Sequence, residues 1–217
     1  MHDPSKLVDV LPALPLIQLH GPWIRAVRND LLQGPPPDAP PNSPPQPLWP
    51  RGSPLWGARY TPKGMFPGVY VASDIDTALK ETLTVFDLPG REGHSVLMEP
   101  WTVFAVDGIL TDVLDLTDLD LQQKLGTNLQ ELTGDWKSLQ SLYLQGKSTL
   151  PPTQILGQAA YDSGSIVGLK YPAAKNPSGT APSTHANYLV YTERLAETAS
   201  GYLEVVDPHD WIPQRLP

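Results

Sequence analysis

The sequence predicts one α+β domain with a mostly antiparallel or split sheet and flanking helices. Three observations lead there. Runs rich in β-formers and runs of helical period are mixed without regular strand–helix–strand alternation. Gly, Pro and Asp punctuate nearly every run, which keeps the elements short. The chain's 217 residues suffice for a single core across 1–217, and no internal repeat divides them.

In chain order, residues 14–26, LPLIQLHGPWIRA, read as an extended opening segment broken at Gly21-Pro22. Residues 34–54, GPPPDAPPNSPPQPLWPRGSP, predict a loop with polyproline II character. Proline lacks an N–H and fixes φ, so neither a helix nor a central strand is expected there. PGVYVAS (67–73) is rich in β-formers and predicts a short strand. Asp74 or Asp76 then caps a helix running to about Phe86, with Ile75, Ala78, Leu79, Leu83 and Phe86 at helical spacing. PGREG (89–93) is a turn.

PWTVFAVDG (100–108) and DVLDLTD (112–118) predict two further strands. DWKSLQSLYLQ (135–145) has a helical pattern with Asp135 as its cap. Pro151-Pro152-Thr153 opens another helix, which Gly164 stops. SIVGLKYP (165–172), ANYLVYT (186–192) and YLEVVDP (202–208) predict strands, and a polar loop, 173–185, separates the first two.

Composition excludes several functions. Without cysteine there is neither a disulfide framework nor a thiol nucleophile. No apolar run approaches the roughly 18 residues that span a membrane. The first 30 residues lack a signal peptide's basic start and cleavage site, so a cytoplasmic protein without membrane contact is expected. A net charge of -8 argues against direct nucleic-acid binding. An anionic ligand would need local positive charge, and the candidates are Arg25, Arg28, Arg59, Lys63, Lys170 and Lys175. QGKST (145–149) is not a phosphate loop: Ser141 stands where that loop needs glycine, and a helix-terminal turn explains it. The five histidines are scattered without a ligand pair, so no metal is expected, and His185 reads as an exposed loop residue.

The most patterned stretch places Arg59, Tyr70 and Glu81 at equal steps of eleven. At about 100° per residue, Glu81 falls on the border of its helix's apolar stripe, half sheltered, where its field is less screened. A border glutamate paired with Lys80 or Arg91 is the plainer reading. Tyr70, mid-strand, fits core packing as readily as a ligand contact. An isolated arginine such as Arg59 is ordinarily a surface residue.

Arg59-Tyr60 followed by GVYVASDIDTALKET (68–82) resembles the centre of the RES domain family, named for arginine, glutamate and serine positions. DVLDLTD is similar to the family's leucine–aspartate strand, PTQILGQAAYDSGSIVGLKYPAAK to its late helix and strand, and ANYLVY to its closing strand, with Asn187 as the asparagine. GPWIRA resembles the opening strand and adds Arg25. The resemblance covers roughly residues 15–207. One departure is Ala173, which follows Tyr171-Pro172 where the family usually has serine; Ser178, Thr180, Ser183 and Thr184 are the nearby hydroxyls.

The resemblance implies an ADP-ribosyltransferase-like split sheet and a toxin of a bacterial toxin–antitoxin pair, neutralised by a cognate antitoxin. It implies NAD as substrate, either degraded by phosphorolysis or hydrolysis or used to transfer ADP-ribose, with phosphate or a protein among the acceptors. In that reading Glu81 stabilises positive charge developing on the ribose. Arg59 grips phosphate oxygens in a bidentate way, and Tyr60 or Tyr70 packs against nicotinamide or ribose. Arg25, Asn187 and Ser183 are further contacts. The alternative is a non-enzymatic interaction protein of the same fold, with Ala173 marking lost activity and the proline-rich stretch serving as a docking segment.

Overall fold

A computed structural model describes residues 1–33, 44–82, 85–87, 95–97, 100–174, 185–209, 211–212 and 214–217. In chain order its helices are α1 (Pro4–Val10), α2 (Asn29–Gln33), α3 (Gly52–Trp56), α4 (Ile75–Glu81), α5 (Leu119–Lys124), α6 (Leu129–Thr133), α7 (Trp136–Leu144), α8 (Pro152–Asp162) and α9 (Thr192–Ala196). Its strands are β1 (Ile17–His20), β2 (Trp23–Arg28), β3 (Gly68–Ala72), β4 (Val85–Asp87), β5 (Ser95–Leu97), β6 (Trp101–Asp115), β7 (Gly168–Pro172), β8 (Ala186–Tyr191), β9 (Tyr202–Val205) and β10 (Arg215–Leu216).

The main sheet runs β10-β9-β6-β2-β3-β8-β7, with β1 also on β6. β7 returns to the far half of β6 as a parallel neighbour, Val113 opposite Gly168, while the other pairings described are antiparallel. β6 pairs with β2 through residues 101–106 and with β7 through 113–115, and β1 and β9 also pair along it. The α+β domain and its mostly antiparallel, split sheet are as the sequence predicts. β4 and β5 form a separate hairpin.

Alternate residues of the same strands enter two cores. Leu189 and Tyr191 join Leu7, Leu11, Tyr60 and Leu156 beneath α1 and α8. Val190 joins Trp23, Val69, Val106 and Leu110 on the other face.

Several elements differ from the sequence reading. The two strands expected at 100–108 and 112–118 are one strand of 15 residues. Gly108 looked like a strand end, but a Cβ there would lie 2.3 Å from the Tyr202 carbonyl oxygen, so the glycine admits the close approach of β9. The opening segment is likewise two strands, β1 and β2, flanking Gly21-Pro22. α4 stops at Glu81 rather than near Phe86: the Thr82 hydroxyl donates to the Leu79 carbonyl at 2.6 Å, and Val85–Asp87 pair with β5.

Within the proline-rich stretch, residues 34–43 lie outside the described residues, but Gly52, Ser53 and Pro54 open α3. Proline is tolerated there because first-turn N–H groups have no intrahelical acceptor. The sequence reading also missed α1, α5 and α6, which are capped by Asp3, Asp118 and Asn128 but too short to show a period. Gly146, at φ 70, forms the turn after α7 that QGKST predicts, with the Lys147 N–H reaching the Leu142 carbonyl at 2.9 Å. Among the described residues no helix is long and apolar enough to cross a membrane.

Candidate functional site

One cavity of about 700 Å³ opens on the face of the sheet that β2, β3, β8 and β7 share. Register explains its floor. Ile24 pairs with Ala72, Ala72 with Asn187, and Asn187 with Tyr171. Directly paired residues point to the same face, as does Tyr70 two residues before Ala72. Thus Ile24, Tyr70, Ala72, Tyr171 and Asn187 all line the cavity. The walls come from the turn after α3, the end of α4, and the α6–α7 junction.

Arg59 stands on the first wall. Gly57, at φ 78, turns the chain out of α3, and Ala58 and Thr61 exchange backbone hydrogen bonds at 2.8 and 3.2 Å to close a tight turn around Arg59 and Tyr60. Gln154 of α8 clamps that turn by donating to the Ala58 carbonyl at 2.8 Å. α8 approaches so closely that a Cβ on Gly157 would lie 1.8 Å from the Tyr60 carbonyl oxygen. Arg59 Nη1 donates to the Leu132 and Gly134 carbonyls at 3.0 and 2.9 Å, holding the end of α6. Among the described residues its Nε and Nη2 make no hydrogen bond, which leaves one edge of the guanidinium for an anion.

Glu81 stands on another wall, at the last residue of α4. That helix is fixed by Asp74, whose carboxylate accepts from the Thr77 N–H at 2.8 Å. Glu81 Oε1 accepts from the Ala174 N–H at 2.8 Å, just past the Ala173 position, and among the described residues its other oxygen has no partner. Lys80 pairs with Asp76 one turn earlier, and Arg91 lies outside the described residues.

The three phenols differ. The Tyr70 hydroxyl meets Thr61 Oγ1 at 2.8 Å and accepts from the Tyr60 N–H at 3.3 Å, so its ring is fixed as a wall of the cavity. Tyr60 is 0% exposed, packs at 4.6 Å against Tyr171, and does not line the cavity. Burial raises the ionisation of Tyr60, Tyr70 and Tyr171 far above the ordinary phenol range, so all three are neutral.

Asn187 is 4% exposed and its Nδ2 has no hydrogen-bond partner among the described residues. Arg25 borders the cavity, but strand alternation puts its side chain on the Trp23–Val27 face. Its guanidinium is committed to the Pro47 carbonyl, to Tyr70 O at 2.8 Å and to Trp49 O at 3.3 Å. Desolvation lowers its pKa to about 10, so it stays charged and anchors the segment after the prolines. Lys170 pairs with Asp115 at 2.8 Å, and Ser183 lies outside the described residues. His185 is tied to Asp74 at 3.1 Å and does not line the cavity.

Sequence reasoning missed Tyr171, the Ala174 N–H and a tryptophan rim of Trp56, Trp101 and Trp136, with Trp56 52% exposed. Lys137 lies 5.8 Å over the Trp136 ring. The pair YP at 171–172 was visible, but only the β7–β8 register turns its tyrosine to the cavity.

In structure, the chain is similar to a chain of the crystallised M. tuberculosis MbcT–MbcA toxin–antitoxin complex, at TM-score 0.61 and 20% identity, covering 94% of this chain and 90% of that one. A search of curated proteins gives no significant match. The RES domain profile matches residues 37–209, which take in the Arg59, Tyr70, Glu81, Tyr171 and Asn187 positions. With most of its length accounted for by that one profile, the chain belongs to the RES domain family.

Proposed function

We propose that the cavity binds NAD and that the protein breaks the nicotinamide N-glycosidic bond, as the toxin of a toxin–antitoxin pair. The observation that carries this reading is the presence of opposite charges, Arg59 and Glu81, in one cavity. Glu81, held at one oxygen by Ala174 N–H and open at the other, lines the same cavity as Arg59, which keeps one guanidinium edge uncommitted. NAD offers a diphosphate for the arginine and a ribose whose C1′ gains positive charge as nicotinamide leaves with the bonding electron pair. A half-buried carboxylate favours that charge more than it favours the neutral ribose, which is what accelerates a reaction. Water, phosphate or a protein nucleophile then bonds to C1′ and gives up its proton, yielding hydrolysis, phosphorolysis or ADP-ribosyl transfer. Tyr70 supplies an aromatic wall, and Asn187 forms part of the cavity floor. Arg25 and Tyr60 shape the site without offering it a free polar group.

Support for a partner is the likeness to a chain solved in a toxin–antitoxin complex. A cognate antitoxin encoded nearby is therefore expected to co-purify and to relieve growth arrest on co-expression.

The test is direct. Purified protein incubated with NAD should release nicotinamide, measured by chromatography with and without phosphate to separate phosphorolysis from hydrolysis. No release with any acceptor, together with no NAD binding by calorimetry, would refute the reading.

A further inference from the structure

Resting on the reading of the cavity as an NAD site, we infer that Tyr171 is a further substrate-contacting residue. Its hydroxyl donates to a hydroxyl oxygen of the ribose on which Glu81 acts.

Three observations carry this. First, Tyr171 sits in one row with Asn187 and Ala72 across β7, β8 and β3, on the floor of the cavity that Arg59 and Glu81 also line. Second, the hydroxyl is unspent. Tyr70 spends its hydroxyl on Thr61, and the Tyr60 hydroxyl is sealed inside the protein. Tyr171 is only 4% exposed, yet its hydroxyl makes no hydrogen bond among the described residues and is not among the sealed, unpartnered polar atoms. A nearly buried polar group without a partner is a cost that a bound acceptor removes.

Third, its environment fixes the role it can take. Burial, then the neighbouring Tyr70, Glu81 and Tyr60, keeps the phenol protonated, with Arg59 opposing them weakly. It can therefore donate but cannot act as a base. Ionised Glu81 can only accept. A donor and an acceptor that line one cavity and lie near enough for Glu81 to act on the phenol match a sugar carrying adjacent hydroxyls, each of which both donates and accepts.

The experiment uses a non-cleavable NAD analogue whose nicotinamide ribose carries a methylene in place of the ring oxygen. Affinity is measured by calorimetry for the unaltered protein and for Tyr171→Phe. Phenylalanine keeps the ring that packs against Tyr60. The expected loss is about 3- to 10-fold in Kd, the size of one neutral hydrogen bond, with a melting temperature unchanged or raised. The loss should vanish for a matching analogue that lacks the contacted ribose hydroxyl. Equal affinity of both proteins for the full analogue, or a loss that persists when either ribose hydroxyl is removed, would overturn the assignment of Tyr171 while leaving the NAD reading standing. Failure of the unaltered protein to bind NAD or the analogue would bring down both.

Discussion

At the scale of single residues, Glu81 and Arg59 divide binding from chemistry, and substitution should separate them. Glu81→Gln keeps size and an acceptor for the Ala174 N–H but removes the charge. If the charge acts on the transition state, turnover should fall about 100- to 1000-fold while NAD still binds, because one well-placed electrostatic group is worth about 3–4 kcal/mol. Near-normal turnover in a folded Glu81→Gln protein would reduce the equal spacing of Arg59, Tyr70 and Glu81 to strand-and-helix geometry. Arg59→Ala should weaken binding as well as rate. It should also lower stability, since two carbonyls at the end of α6 lose their donor, a loss of roughly 1–3 kcal/mol. Melting curves for both variants distinguish these effects. At this scale the equal spacing singled out Arg59, Tyr70 and Glu81 and the family resemblance added Asn187, and all four line the cavity. It was uninformative about Arg25, whose commitment to the Pro47, Tyr70 and Trp49 carbonyls depends on where the proline-rich chain returns.

At the scale of elements, α4 carries Glu81 and α8 holds the Arg59 turn, and each has one residue on which its placement turns. Burial disfavours the Asp74 carboxylate, but hydrogen bonds from the Thr77 N–H, His185, Ser73 and the Thr77 hydroxyl outweigh it and hold the carboxyl well below its ordinary range. A depressed folded pKa means stability that is present above the unfolded value of about 3.9 and lost as pH falls through the folded one. Asp74→Ala should therefore cost about 1 kcal/mol near pH 7, as lost helix caps do. The gap from the unaltered protein should narrow in urea titrations below about pH 4; a gap that stays constant would count against the Asp74 linkage. In α8, Gly157→Ala should reverse a familiar trend. Alanine in a helix interior is ordinarily better than glycine by roughly 1 kcal/mol. Here the added Cβ meets the Tyr60 carbonyl at 1.8 Å, so overpacking of about 1–3 kcal/mol should win and displace the Arg59 turn. A Gly157→Ala protein that melts higher and keeps its NAD affinity would show that the turn yields freely. Neither constraint was legible beforehand in full: the sequence offered Asp74 or Asp76 as the cap, and nothing in TQILGQAAYDSG says what its inner glycine faces. Helices α5 and α6 were invisible because five or six residues cannot establish a period, although their Asp and Asn caps are the signal that was there.

At the scale of the whole molecule, β6 ties everything together. Its Phe104, Val106, Leu110 and Val113 enter one core and its Leu114 enters the other. Pairing with β2 at one end and β7 at the other closes the circuit β6-β2-β3-β8-β7. The irregular mixture of strands and helices made the α+β class legible, but that closure was not: it needs the Val113–Gly168 pairing across a sequence gap holding four helices, α5 to α8. A consequence follows for ligand binding. Tyr70, Ala72, Tyr171 and Asn187 all lie on strands of the circuit, so a ligand on the cavity floor should stabilise both cores at once rather than one region. Unfolding is expected as a single transition. With Glu81→Gln used to slow turnover, NAD at 100 times its Kd should add about 2.7 kcal/mol. At roughly 2–4 °C per kcal/mol for a chain of this size, the melting temperature should rise by about 5–10 °C. Calorimetry should find the whole transition moving together, with the calorimetric and van't Hoff enthalpies equal. Two transitions of which only one shifts would mean that the two cores unfold independently and that β6 does not couple them.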